Sequence, residues 1–177
     1  MKIEPLQPSA VERFERFIAR IPEDDRMFAK EDLSDRDTLD TWAEETRSIR
    51  LIALGADDAV IGYAAVIPGT GLSDHVGELR LLVDPAHRRS GVGWSLVRRA
   101  LVDGVTRLRL RKIFVEVVAE QDPAIRMFRQ NGFIAEAILR DHFRDRSGKM
   151  RDLVLLGHFV EDNWEGLRGL GIEKEVG

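Results

Sequence analysis

Leu81-Leu82-Val83-Asp84-Pro85-Ala86-His87-Arg88-Arg89-Ser90-Gly91-Val92-Gly93-Trp94 is the stretch that decides how this chain is read. An apolar strand, Glu78–Val83, stops at Asp84-Pro85, because proline donates nothing to a ladder. A basic loop follows. A helix then opens at two glycines and runs from Gly91 to about Arg107, with Val92, Leu96, Val97, Ala100, Leu101 and Val105 on one side. Gly104 weakens it near its end. Glycine at such a start lets a ligand approach the backbone closely. Free amides and the helix dipole both favour an anion there, and phosphate suits them. Arg88 and Arg89 add charge-assisted donors. A nucleotide-hydrolase loop would need Gly-Lys-Ser/Thr, which is absent. A dinucleotide fingerprint would need a third glycine at position 96, which is Leu96, and would directly follow the strand.

Outward from this stretch, the hydrophobic period changes several times. Residues 1–6 read as a short first strand. Ser9-Ala10-Val11-Glu12 reads as a capping box, and Val11, Phe14, Phe17, Ile18 and Ile21 form the helical stripe behind it. Pro22 ends that helix. A second helix covers Asp37 to Arg47 with Leu39 and Trp42 inward. Ser48–Gly55 and Ala59–Pro68 read as strands joined by Ala56-Asp57-Asp58. Lys112–Ala119 is a strand. Asp122 caps a helix with Pro123 in its first turn, and Asn131-Gly132 ends it. Phe133–Arg140 and Leu153–His158 are closing strands about an Arg144–Gly148 turn. Val160, Trp164 and Leu167 suggest a last helical turn before a glycine-loosened tail. The order predicts an α/β (α+β) chain: a mixed sheet with helices packed on it. One domain over 1–160 and a tail over 161–177 are expected.

Composition narrows the function. The chain has 177 residues, 44% hydrophobic and 33% charged, which is ordinary for a globular protein. It has no cysteine, which excludes a disulfide scaffold, a thiolate metal site and a cysteine nucleophile. No apolar run reaches membrane-helix length and the N-terminus lacks a signal-peptide pattern, so a cytoplasmic protein is expected. A net charge of −4 argues against nucleic acid as the partner. The charges are uneven. Residues 86–112 hold eight lysines and arginines against Asp103 alone, and residues 23–45 hold ten acids against Arg26, Lys30 and Arg36. The first run suits an anion and the second a cation, although two solvated helix faces would look the same.

Arg88-Arg89-Ser90-Gly91-Val92-Gly93 resembles the Arg/Gln-x-x-Gly-x-Gly/Ala motif of the GNAT superfamily of acyl-CoA-dependent N-acyltransferases. Gln121-Asp122-Pro123-Ala124-Ile125-Arg126-Met127-Phe128-Arg129-Gln130-Asn131-Gly132-Phe133 resembles the family's Asn-x-x-Ala-x-x-x-Tyr-x-x-x-Gly-Phe segment. The closing hairpin also looks like the family's, and the likeness runs from about residue 59 to 159. The resemblance implies a mostly antiparallel sheet of about seven strands flanked by helices, with a splayed central strand pair. It implies acetyl-CoA as co-substrate, with no metal. Leu81, Leu82 and Val83 would pair with the pantetheine amides, as in strand addition. Arg88, Arg89, Ser90, Gly91, Val92 and Gly93 would hold the pyrophosphate. Gln121 replaces the usual Asn near the pantetheine, and Phe128 replaces the Tyr that often protonates the leaving thiolate. Phe128 cannot donate, so either another group is the acid or the thiolate leaves unprotonated, which a thiol pKa near ~8.5 tolerates.

An acceptor amine attacks only when neutral, so a base is useful. Glu78 and Glu116 are the candidates, each in an otherwise apolar strand. The competing reading makes each a strand-edge carboxylate paired with an arginine, and Arg80 lies two residues from Glu78. His75, His87, His142 and His158 show no metal-ligand spacing, and His75 and His142, the two within reach of a substrate cleft, read as surface histidines. Trp94, directly after the second glycine, reads as a packing residue in preference to a stacking platform. The expected function is acetyl transfer to a primary amine of a small molecule or a protein, the acceptor cationic if the acidic first fifty residues line its site. The alternative is an acyl-CoA-binding module without catalysis. A homodimer is left open.

Overall fold

The computed structural model describes residues 1–26, 29–31, 33 and 35–160. The expected tail over 161–177, with Trp164 and Leu167 of the suggested last turn, lies outside the described residues. Seven strands form a single sheet in the order β1-β2-β3-β4-β5-β7-β6. They are β1 (Lys2–Pro5), β2 (Ile49–Leu54), β3 (Val60–Pro68), β4 (Val76–Val83), β5 (Lys112–Val118), β6 (Ile134–Arg144) and β7 (Met150–Phe159). The helices are α1 (Val11–Arg20), α2 (Glu23–Arg26), α3 (Arg36–Glu44), α4 (Val92–Thr106) and α5 (Asp122–Gln130). Antiparallel pairs join β1 to β2, β2 to β3, β5 to β7 and β6 to β7, while β4 and β5 are parallel, so the mixed, mostly antiparallel expectation holds. No helix among the described residues is long and apolar enough to cross a membrane.

Two compact units divide the chain: residues 1–67 with 79–100, and residues 68–78 with those from 101 onward. In the first, the helical stripe of α1 is buried through Val11, Phe14, Phe17 and Ile18, and Leu39 and Trp42 of α3 join it. Tyr63 of β3 sits at the centre, 4.9 Å from the Phe14 ring and stacked on Trp42 at 6.3 Å. Burial of each such ring contributes roughly 1.5–3 kcal/mol. Gly62 lets α4 dock, because a Cβ there would lie 2.8 Å from both Val92 and Leu96. The glycine in β3 thus sets how closely the first turn of α4 approaches the sheet.

In the second unit, β5 pairs with β7 along its whole length, from Lys112↔Phe159 to Val118↔Leu153. The parallel register with β4 joins Val76 to Lys112, Gly77 to Ile113 and Glu78 to Phe114. Phe128 of α5 is buried edge-on against Phe133 at 5.3 Å, and Phe133 meets His158 at 5.5 Å.

Several helix starts differ from the sequence reading. Pro8–Ala10 form a 3₁₀ turn, so Ser9 lies inside a turn and cannot take the extended backbone a cap needs. Ala10 precedes α1 without a side-chain cap, and Glu12 pairs with Arg16 instead. Asp35 caps α3, accepting from the Thr38 amide at 3.2 Å, so the helix starts at Arg36 and not at Asp37. Asp122 is the first residue of α5 rather than its cap. Ile21 is extended and Pro22 follows, as expected of a proline stop.

Candidate active site

Along β4 the burial alternates through Gly77 and Leu79 and then slips by one, so Arg80 and Leu81 are both half-buried and Leu82 is buried. Leu82 packs into the core with Tyr63. Leu81 and Val83 are half-buried beside it. The strand then ends at a buried carboxylate. Asp84 accepts from Arg20 Nε at 2.9 Å and from the Ala86 amide at 3.0 Å, and its own amide donates to Ile61 O at 3.1 Å. Arg20 Nη2 also donates to Val60 O at 2.7 Å, tying α1 to β3 and to the strand's end. Burial pushes the Asp84 carboxyl up, but the Arg20 and Ala86 hydrogen bonds outweigh it, so its pKa lies below the ordinary aspartate value.

From this anchor the loop is built by local bonds. Pro85–His87 form a 3₁₀ turn, and Ser90 Oγ donates to His87 O at 2.6 Å. Arg88 is exposed, with Nη2 paired to Asp25 of α2 and Nε 3.4 Å from Val83 O. Arg89 (φ 61°) and Gly91 (φ 87°) both take the left-handed region, the second at no steric cost. A Cβ at Gly91 would meet no atom within 4 Å, so the space beside this backbone is open. The first α-helical bond of α4 runs from Ser95 N to Gly91 O at 3.0 Å. The amides of Val92, Gly93 and Trp94 therefore precede the helix's own ladder and are available to an acceptor. Residues, space and charge here fit a pyrophosphate.

Trp94 is not packed away. It is 38% exposed, with the Arg98 guanidinium 4.4 Å above its ring centroid.

The second unit carries the remaining candidates. Glu78 is registered opposite Phe114 on β5, and Glu116 stands two residues further along β5. Same-side alternation places both carboxylates on one face of the sheet as diagonal neighbours, about 7–8 Å apart for such positions. Both are half-buried. His158, registered opposite Ile113, belongs to the other face, and with it the Phe133 and Phe128 rings. His158 is buried, and burial holds its pKa below the ordinary histidine value. Gln121 is exposed at the start of α5.

A buried polar cluster in the first unit was not anticipated. Arg50 of β2 lies over the Trp42 ring at 3.9 Å, donates to Tyr63 Oη at 2.6 Å and pairs with Glu31 at 3.1 Å. Arg80 pairs with the same Glu31 at 2.7 Å and donates to Ala29 O at 2.9 Å. Burial raises the Tyr63 phenol to about 12. The cluster changes the meaning of the acidic run. Among its described members, Asp25 pairs with Arg88, Glu31 with Arg50 and Arg80, Asp40 with Arg36, and Glu45 with Arg50, while Asp35 caps α3. At least five of the described acids in this run are thus engaged internally, which weakens the argument from composition for a cationic ligand.

A model of the acetyltransferase (GNAT) family matches residues 15–133. The chain belongs to this family. A spermidine N(1)-acetyltransferase from Vibrio cholerae is 32% identical over 66 residues, a match spanning 37% of this chain and 38% of the relative. Among solved structures, a GNAT-family acetyltransferase from Streptococcus pneumoniae aligns with TM-score 0.77 at 17% identity, over 89% of this chain and 98% of that one. A ribosomal-protein-alanine N-acetyltransferase from Brucella melitensis aligns with TM-score 0.74 at 18% identity, over 90% and 99%. At these identities the structures show the fold.

Proposed function

We propose that the protein moves an acetyl group from acetyl-CoA to a primary amine of a small molecule or of a protein. The observation carrying this reading is the open, amide-rich start of α4 at Gly91, behind a basic loop anchored by Arg20 and Asp84. Arg88, Arg89, Ser90, Gly91, Val92 and Gly93 hold the pyrophosphate, through backbone amides, helix dipole and guanidinium charge. The backbone of Leu81, Leu82 and Val83 pairs with the pantetheine amides, and Gln121 stands at the sequence position of the family's pantetheine Asn. The thioester of acetyl-CoA supplies the acetyl group.

Glu78 takes the proton of the acceptor ammonium, directly or through water, with Glu116 as its neighbour on the same face. An alkyl ammonium with pKa near ~10.4 is neutral only about once in a few thousand molecules at pH 7, so a positioned carboxylate matters. A backbone amide of β4 polarises the thioester carbonyl. Phe128, at the position of the family's acid, provides no proton, and the thiolate leaves as such. The named polyamine relative supports a polyamine as one acceptor class.

One observation favours a second reading. Phe128, buried against Phe133, brings no hydroxyl to the family's acid position, which suits a module that binds acyl-CoA without turning it over. Thiol release from acetyl-CoA across a panel holding spermidine, an aminoglycoside and an N-terminal-alanine peptide separates the two. CoA release with a cognate amine supports the enzyme. Tight CoA binding with no release for any amine supports the module.

A further inference from the structure

The indole of Trp94 and the guanidinium of Arg98 sit one turn apart on the solvent side of α4. Arg98 covers one face of the ring at 4.4 Å, while the residue as a whole keeps 38% of its surface exposed. Helical side chains lean toward the N-terminus, so a residue covers the surface over the turn before its own Cα. For Trp94 that surface is the opening at Gly91, where the backbone faces open space. A partly exposed aromatic ring with one face held by a cation, beside a phosphate cradle, is suited to stack a nucleobase. In CoA the adenosine is bonded directly to the pyrophosphate, so a pyrophosphate on the amides of Val92, Gly93 and Trp94 brings an adenine within reach of this ring.

We infer that Trp94, backed by Arg98, is the adenine platform of the acetyl-CoA site. The inference rests on the cofactor reading above and adds a base-specific contact to it. Arg98 acts as a positioning residue: its cation fixes the indole plane so that little rotamer freedom is lost when the base arrives. Every residue of this arrangement belongs to the first compact unit.

Calorimetry with CoA and with 4′-phosphopantetheine, which lacks the adenosine, tests it on the full chain. Trp94→Ala should weaken CoA about tenfold, within the range for losing one aromatic–base stack, and leave 4′-phosphopantetheine unchanged. Trp94→Phe should recover most of the loss. Emission gives a second reading: CoA should quench the parent's tryptophan signal more than 4′-phosphopantetheine does, and Trp94→Phe should lose that difference. Equal affinity of parent and Trp94→Ala for CoA would overturn the platform, as would an equal loss for both ligands. A parent that binds neither ligand would instead overturn the cofactor reading on which the platform rests.

Discussion

Arg20 Nε and Asp84 Oδ2 meet at 2.9 Å across 64 positions of sequence, and this pair fixes where β4 stops and the basic loop begins. Asp84 is buried while Arg20 is partly in solvent, so the carboxylate depends on its partner more than the guanidinium does. Removal of Arg20 leaves the buried Asp84 carboxylate without its cation, while removal of Asp84 frees a guanidinium that water can reach. The loop that carries Arg88 to Gly93 then loses its anchor at the Ala86 amide or at β3.

Arg20→Ala should therefore cost roughly 1–3 kcal/mol of stability at neutral pH, the price of an unsatisfied buried charge partner. The pH dependence has a definite sign. Asp84 has a depressed pKa in the folded chain, so its contribution is present above its unfolded value of 3.8 and fades as pH falls through the lower folded value. Denaturant melts from pH 7 downward should show the gap between parent and Asp84→Asn narrowing below that point. A gap that stays constant into acid would mean the pair adds nothing through charge.

Gly91→Glu should abolish CoA binding. It places a carboxylate where the pyrophosphate is held, at a backbone angle of 87° that side chains rarely adopt. The left-handed strain costs about 1–2 kcal/mol, and the open space around the Cβ position adds no clash, so the fold should survive. Binding measured on a folded variant with unchanged CoA affinity would remove this loop from the cofactor site.

The strand–loop–helix passage around this glycine was legible because its signals are local: an apolar run, a proline stop, paired glycines and a helical stripe within thirty residues. The order of the elements followed from the same kind of signal. What escaped the sequence depends on long-range pairing. Nothing beside Arg20 announces Asp84, and nothing beside Arg50 or Arg80 announces that both hold Glu31. The acidic run misled for that reason, since counting charges ignores the arginines that fold back onto them. The cap at Ser9 failed through a neighbour's constraint, because Pro8 starts a 3₁₀ turn one residue too early. Trp94 read as packing because it stands two residues before the buried Leu96 and three before the buried Val97, and only the packing of the first turn of α4 decides its exposure.

Glu78→Gln should lower turnover roughly 10²-fold at neutral pH, the lower end for loss of a general base, with CoA affinity unchanged. Glu116→Gln separates its role from that of its diagonal neighbour. A base at Glu78 assisted by Glu116 predicts a smaller loss there and a shifted acidic limb in the pH–rate profile. Unchanged turnover in Glu78→Gln, with acetyl transfer shown to be the limiting step, would take Glu78 out of the mechanism.

Phe128→Tyr decides what happens to the leaving thiolate. The ring is 3% exposed and packed edge-on against Phe133 at 5.3 Å, so an added hydroxyl either finds a partner at the sulfur's side or is buried unsatisfied. The second outcome costs about 1–3 kcal/mol and shows as a lowered melting temperature. With the fold intact, an unaided thiolate predicts faster or equal turnover in the tyrosine variant, because the phenol restores a donor at the position where the parent has none. A different protein acid predicts a parent whose alkaline limb reports that acid and a variant that leaves the limb where it was. A binding module without catalysis predicts no activity in either, with CoA affinity preserved. pH–rate profiles of parent and variant therefore separate the three. A parent that is fully active with a clear acid limiting its alkaline limb would refute departure of the bare thiolate. A thiolate needs no such help, because its conjugate thiol already ionises near ~8.5 and is a far better leaving group than the amine it competes with.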